Sequence, residues 1–225
     1  MKDRLYSAAA LLLVLTTAIL LDHAFEVLWF SATLIVVTIS IGTLECYALF
    51  RLRGRPLSPS AEPAPMDDVR NALLAVACIG LPGAILLALQ LQEHGLRSVL
   101  YLVAVAKMVD NGALLVGRLL GRHKLAPKIS PAKTVEGVLG GLCTGLLTAF
   151  LLGPHCTNGS PTFFLIFGLT IGILSVIGDL VASLVKRRAG VKDSGSLLPG
   201  IGGVLDLMDS VLLSAPVAYF LLVVR

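Results

Sequence analysis

The strongest constraint on this chain is its succession of apolar runs, several near the roughly 20 residues that a helix needs to cross a bilayer, separated by short polar breaks. One soluble domain of 225 residues has no interior large enough to bury them all. Hydrophobic residues make up 56% and charged residues 14%, against about 25% charged in an ordinary globular protein, and mean hydropathy is +0.89. The pattern predicts about seven transmembrane helices, near 5–21, 26–50, 71–92, 98–120, 135–153, 162–184 and 203–224. The expected fold is all-α: a polytopic integral membrane helix bundle, with residues 1–225 forming a single membrane domain. A basic MKDR start precedes the first run, but no small-residue cleavage site follows it. A retained helix is therefore expected, not a signal peptide.

Basic residues sort by loop. Lys2 and Arg4 precede the first span, and Arg51, Arg53, Arg55 and Arg70 follow the second. Arg118, Arg122, Lys124, Lys128 and Lys133 surround the loop after the fourth, and Lys186, Arg187, Arg188 and Lys192 follow the sixth. If every span crosses, all four groups lie on one side. The positive-inside rule makes that side, and the amino terminus, cytoplasmic. Topology and anionic headgroups then account for the net charge of +4, and no nucleic-acid partner is needed. The four cysteines (Cys46, Cys78, Cys143, Cys156) show no CxxC spacing, so neither a disulfide framework nor a zinc site is expected.

Between Gly178 and Ser210 stand four Asp and four Lys or Arg. Ionisable groups at a bilayer edge mark a functional site by default. Acids able to hold a metal beside bases able to hold phosphate point to phosphoryl or nucleotidyl chemistry on a lipid. Asp179, Ser183 and Lys186 share one helix face at i, i+4 and i+7. Arg188 reads as a topological anchor. The run Pro199-Gly200-Ile201-Gly202-Gly203 allows a tight turn. Asp206 and Asp209 follow at i and i+3, either complementing the helix dipole or presenting oxygen ligands suited to Mg²⁺.

A second polar region begins at Lys107, Asp110, Asn111, Gly117 and Arg118 and continues through RHKLAPKISPAKTVEG. Asp110 either pairs with Lys107 one turn away or faces a site. Ser130-Pro131 suits a helix N-cap followed by Pro at the first helical position. That places Lys133 in the first turn, where the dipole disfavours a cation unless an anion is bound there. Snorkelling of Lys133 to headgroups is the alternative.

Two motifs taken in order carry a resemblance. Ser183-x-x-Lys186-Arg187-x4-Lys192-Asp193, followed by Pro199-Gly200-x-Gly202-Gly203-x-x-Asp206-x-x-Asp209, resembles the signature of the phosphatidate cytidylyltransferases (CDP-diacylglycerol synthases). The stretch from Asp110 to Gly137 looks like a second motif of that family. The likeness covers residues 98–225, the helices with both motifs, and thins to hydropathy over 1–97. It implies transfer of CMP from CTP to phosphatidic acid in phospholipid biosynthesis, with Mg²⁺ as cofactor and a second cation left open. By the same resemblance Asp179, Asp206 and Asp209 hold metal. Ser183, Lys186, Arg187 and Lys192 meet phosphates, and Asp110, Arg118 and Lys133 complete the pocket. Asp193 orients Lys192. The family usually has His where Ile201 stands and Arg where Leu207 stands, so a general base at Ile201 is not available.

The expected location is the inner membrane of the cell, with the active site on the cytoplasmic side, among membrane lipids. A CTP-dependent relative acting on another lipid (a polyprenol kinase or archaeol-type cytidylyltransferase) stays open, as does a non-catalytic membrane protein. Acids gathered at one face and the lack of an evident repeat argue against transport. Gly137, Gly140, Gly141 and Gly145 offer a small-residue face, either for a homodimer or for packing within the chain.

Overall fold

The computed structural model describes residues 29–53, 65–195 and 202–224, together with Leu13, Thr16 and Thr17. The predicted span 5–21 falls almost wholly outside the described residues, as does Ile201. The described chain is mostly helical: α1 (Trp29–Arg53), α2 (Pro65–Ala75), a π-helical turn (Val76–Gly80), α3 (Leu81–Gln90), α4 (Gly95–Leu120), α5 (Val135–Cys156), α6 (Pro161–Arg188) and α7 (Val204–Val223). Between α4 and α5 lies one antiparallel hairpin, β1 (Lys124–Ala126) with β2 (Ser130–Thr134). Among the described residues six helices are long and apolar enough to cross a membrane: Ser31–Leu52, Asp68–Gln90, Gly95–Leu120, Val135–Cys156, Pro161–Arg188 and Val204–Val223. They match six of the seven predicted spans. The chain is a multi-pass helical membrane protein.

Its outer surface agrees. Leu44, Leu81, Leu119, Leu147, Leu151 and Phe220 are all more than half exposed, which water would penalise and lipid does not. The π-helical turn has a local cause. Pro82 lacks an N–H and its ring crowds the carbonyl of the residue four before it, and the wider turn at Val76–Gly80 sits just upstream.

One expectation is corrected here. The helix after the hairpin does not begin at Ser130-Pro131, and Lys133 is not in its first turn. Residues Ser130–Thr134 are strand β2, with Lys124 opposite Thr134 and Ala126 opposite Ser130. Thr134 is the N-cap of α5, its hydroxyl accepting the Gly137 N–H at 3.1 Å, and Glu136 supplies the acid favoured in the first turn. The Ser-Pro start occurs one loop later. Ser160 Oγ accepts the Phe163 N–H at 3.3 Å and Pro161 opens α6.

The chain clusters into two compact units, one of residues 1–87 and 185–208, the other of 88–184 and 209–225. In the first, α1 packs on the segment around the π turn, where a Cβ on Gly83 would fall 2.7 Å from the Ile39 side chain. Arg51 and Asp68 form an ion pair at 3.4 Å.

In the second unit α4 and α5 pack closely through small residues. A Cβ added at Gly141 would fall 2.6 Å from the Val109 carbonyl oxygen, and one at Gly137 would fall 2.7 Å from that of Ala113. Thr144 Oγ1 donates across to the Met108 carbonyl at 2.8 Å. The glycine face is therefore used for packing within the chain. Tyr101 and Phe167 stack with centroids 4.5 Å apart, and the Tyr101 hydroxyl donates to the Ala149 carbonyl at 3.0 Å. That pair ties α4, α5 and α6 into one core.

Candidate functional site

In the second unit Asp110 sits where three helices meet. Its Oδ1 accepts from Ser175 Oγ on α6 at 3.2 Å, and its Oδ2 accepts from Ser210 Oγ on α7 at 2.8 Å. Lys107 Nζ, one turn before it on α4, lies 3.3 Å from Oδ2 and donates to Ser210 Oγ at 2.9 Å. Ser175 and Ser210 are fully buried. In a medium without water such groups must be satisfied by protein, and this cluster satisfies itself. Asp110 pairs with Lys107, and it also lines a cavity.

That cavity, of about 230 Å³, is bordered by Asp110, Ser130, Lys133, Thr134, Val176 and Asp179, among others. Lys133 Nζ reaches Asp179 Oδ2 at 2.7 Å and the Val176 carbonyl at 3.5 Å. Ser183 Oγ donates to Asp179 Oδ1 at 3.4 Å. The Asp179–Ser183 face expected from spacing is present, and the cation that satisfies the deep acid is Lys133 from β2. Close approach of α6 to α7 depends on Gly178, where a Cβ would fall 2.6 Å from the Asp209 carbonyl oxygen. The Asp209 carboxylate accepts the Ser210 N–H at 2.7 Å.

The first unit holds a denser network. Asp206 Oδ1 receives Lys186 Nζ at 2.5 Å, with the two side chains only 10% and 11% exposed. Its Oδ2 accepts three donors: the Ser194 N–H at 2.8 Å, Ser194 Oγ at 3.0 Å and the Gly203 N–H at 2.9 Å. The last of these is the reach-back half of a capping box, from the third helical residue to the N-cap. The next two helix-start N–H groups are also taken. Val204 donates to Glu45 Oε1 at 3.0 Å, and Leu205 donates to Glu45 Oε2 at 2.8 Å. Gly202, at φ +120°, makes the turn into α7.

Other expected residues lie further from these networks. Arg187 is exposed and donates to the Val191 carbonyl at 3.2 Å, closing the turn after α6. Lys192 and Asp193 are exposed in that turn, and Arg118 is exposed in the last turn of α4. Among the described residues no three His, Cys, Asp or Glu side chains gather as a metal cage. Asp110, Asp179 and Asp206 each face a lysine instead.

The sequence profile of the cytidylyltransferase family matches residues 2–225. The chain belongs to the cytidylyltransferase family. Among its relatives, an uncharacterized protein of Escherichia coli, YnbB, is 44% identical over 128 residues, covering 57% of this chain and 43% of that protein. The phosphatidate cytidylyltransferase of Haemophilus influenzae is 46% identical over 133 residues, 56% of this chain and 45% of its own length. That of Bacillus subtilis is 40% identical over 158 residues, 69% of this chain and 59% of its own. The chain thus spans about half the length of the curated relatives it matches.

Reasoning from motifs missed one prominent residue of this chain. Glu45 lies inside α1, an otherwise apolar helix with a basic exit at Arg51 and Arg53. The signal was available, because a lone carboxylate within a span is costly and so informative. Ser175 and Ser194 were also missed. Such hydroxyls carry no sequence signal until their carboxylate partners are in place.

Proposed function

We propose that this cytidylyltransferase transfers CMP from CTP to phosphatidic acid, giving CDP-diacylglycerol and pyrophosphate at the cytoplasmic side of the inner membrane. A phosphate oxygen of phosphatidate attacks the α-phosphorus of CTP, and the bond from that phosphorus to the oxygen bridging it to the β-phosphate breaks. Pyrophosphate leaves with the electron pair. A phosphate monoester is already an anionic nucleophile near neutral pH, so the chemistry requires no His at position 201. What it requires is relief of repulsion between anions.

The observation that carries the reading is the cavity in which Lys133 and Asp179 meet beside Ser130, Thr134 and Asp110. It offers a cation and hydroxyls for phosphate, and it joins the Asp110–Gly137 motif to Val176 and Asp179 of α6. Lys133 is the cation assigned to phosphate there. In the other unit Lys186, Arg187 and Lys192 are assigned to the same task, and Ser183 donates beside Asp179. Two relatives named phosphatidate cytidylyltransferase add support through their identity.

The donor chemistry suits Mg²⁺. Carboxylate oxygens flanked by hydroxyls are hard ligands, and Mg²⁺ usually takes only one or two carboxylates with substrate phosphates completing its shell. A three-carboxylate cage is therefore not required. Within one unit Asp179 and Asp209 are the carboxylates proposed for it, and within the other, separately, Asp206, each releasing a present partner. When bound, Mg²⁺ would neutralise charge on the triphosphate and on departing pyrophosphate.

The test uses the purified full chain in detergent with radiolabelled CTP, phosphatidate and Mg²⁺. Lipid-linked CMP is the expected product. Its absence overturns the reading, and label transfer to a polyprenol or archaeol lipid in parallel tubes redirects it.

A further inference from the structure

Glu45 has a seat that the rest of its unit is shaped to provide. Across Ser31–Leu52 the only charged side chains are Glu45 and Arg51, so a carboxylate here persists only if its oxygens are satisfied. They are. Oε1 accepts the Val204 N–H, and Oε2 accepts the Leu205 N–H and lies 3.0 Å from Ser194 Oγ. Val204 and Leu205 open α7, so the carboxylate also sits at the positive end of that helix dipole. Two glycines make the room. A Cβ at Gly203 would fall 2.3 Å from Glu45 Oε2, and one at Gly195 would fall 2.7 Å from Glu45 Oε1.

The same groups address Asp206. Ser194 gives Asp206 Oδ2 its N–H, and Ser194 Oγ lies 3.0 Å from carboxylate oxygens of both acids. A hydroxyl has one proton, so it serves one acid at a time and couples the orientation of the two. Gly203, which donates to Asp206, precedes the two amides that Glu45 holds.

We propose that Glu45 is a positioning residue for Asp206: it pins the Ser194 turn and the start of α7, and so fixes how the Asp206 carboxylate is presented. This rests on the reading of Asp206 as part of the phosphoryl-transfer site. It also assigns these helix-start N–H groups to an internal carboxylate, so substrate phosphates are met by side chains and not by the α7 amino terminus. Groups that orient a metal-binding carboxylate typically cost about 10–100-fold in metal affinity or activity when removed.

The experiment compares wild type, Glu45→Gln and Ser194→Ala as full chains in detergent. Three readouts are taken: amide exchange of the segment holding Val204–Asp206, the Mg²⁺ dependence of thermal unfolding, and CMP-transfer kinetics. For Glu45→Gln the α7-start amides should exchange faster, while α4 and α5 keep their protection. The Mg²⁺ needed for half-maximal effect should rise about tenfold and kcat should fall about 10–100-fold, with KM for phosphatidate within about twofold. Ser194→Ala, which removes only the shared hydroxyl, should move the same quantities in the same direction by less, and it decides the matter if Glu45→Gln does not fold. A Glu45→Gln protein with faster exchange but unchanged Mg²⁺ dependence and kcat reduces Glu45 to a structural cap and overturns the proposal, as does unchanged exchange. If the wild type transfers no CMP, the functional reading falls, and Glu45 is judged on exchange and the Mg²⁺ titration alone.

Discussion

The two polar networks treat their acids differently. In the first unit, Asp206 and Glu45 each take two backbone N–H groups, Ser194 and Gly203 for one and Val204 and Leu205 for the other, beside the Lys186 ammonium and the Ser194 hydroxyl. In the second unit, the partners of Asp110 and Asp179 among the described residues are side chains: Ser175, Ser210 and Lys107 for one, Lys133 and Ser183 for the other. Backbone donors cannot turn away without unfolding a turn, whereas lysines and hydroxyls can rotate. One network is tied to backbone, and the other is held by groups that can rotate. Substitutions in the first should therefore damage stability and activity together, and those at Lys133 should separate them.

The largest effect is expected at Asp206. With both side chains about nine-tenths buried, Asp206→Asn leaves the Lys186 ammonium without its counter-charge. Breaking such a pair from one side costs about 3–5 kcal/mol. Thermal unfolding in detergent should show a loss of that order, and CMP transfer should fall by about a hundredfold or more, as when a group stabilising developing charge is removed. A variant that kept wild-type stability would break the comparison at its stronger end.

Next comes Gly141→Ala, which asks what holds the second unit together if its polar cluster is adaptable. The new methyl would lie 2.6 Å from the Val109 carbonyl oxygen and 3.0 Å from Ala113 Cβ. Overpacking of this kind costs about 1–3 kcal/mol, against a gain in helix propensity of about 1 kcal/mol at most. The clash is with backbone, so the loss should win. Unfolding should shift down, while KM for CTP stays near wild type in the fraction that remains folded.

Lys133→Ala is the matching test of the cavity. Lys133 and Asp179 are 19% and 33% exposed, so loss of this ion pair should cost about 1 kcal/mol of stability or less. A charge-assisted hydrogen bond to a phosphate is worth about 1.5–3 kcal/mol. KM for CTP should therefore rise about tenfold or more with little change in unfolding. If Lys133→Ala instead unfolds the protein as Asp206→Asn does, the two networks are alike and the distinction fails.

Hydropathy alone placed the six described spans because a bilayer dictates both the length and the composition of what crosses it. It could not place the start of α5. Ser130-Pro131 and Thr134 both make sound N-caps, and the short hairpin of β1 with β2 decides for Thr134 by taking Ser130 into a strand. The Asp179–Ser183 contact was legible from helix spacing. Its cation was not, because Lys133 reaches Asp179 from 46 positions earlier in the chain. The partners of Glu45 were hidden for the same reason: they stand about 150–160 residues away, and no local pattern links a lone acid in one helix to the first amides of another.

The smallest effect is expected at Arg118, where motif and structure part. The family motif made it a pocket residue, yet it is exposed in the last turn of α4 and is not among the residues bordering the cavity. A cation at a helix carboxyl end contributes about 0.3–1 kcal/mol through the dipole, and at a membrane edge its neighbours are headgroups. Arg118→Ala should leave kcat and KM for CTP within about twofold and change unfolding by about 0.5 kcal/mol or less. Binding to anionic vesicles, measured by flotation against neutral ones, is not expected to change either, because the spans alone keep the chain in the bilayer. A tenfold rise in KM for CTP would mean that the last turn of α4 meets the triphosphate. The adaptable network would then extend past the cavity wall, and Lys133 would share its role with a second cation.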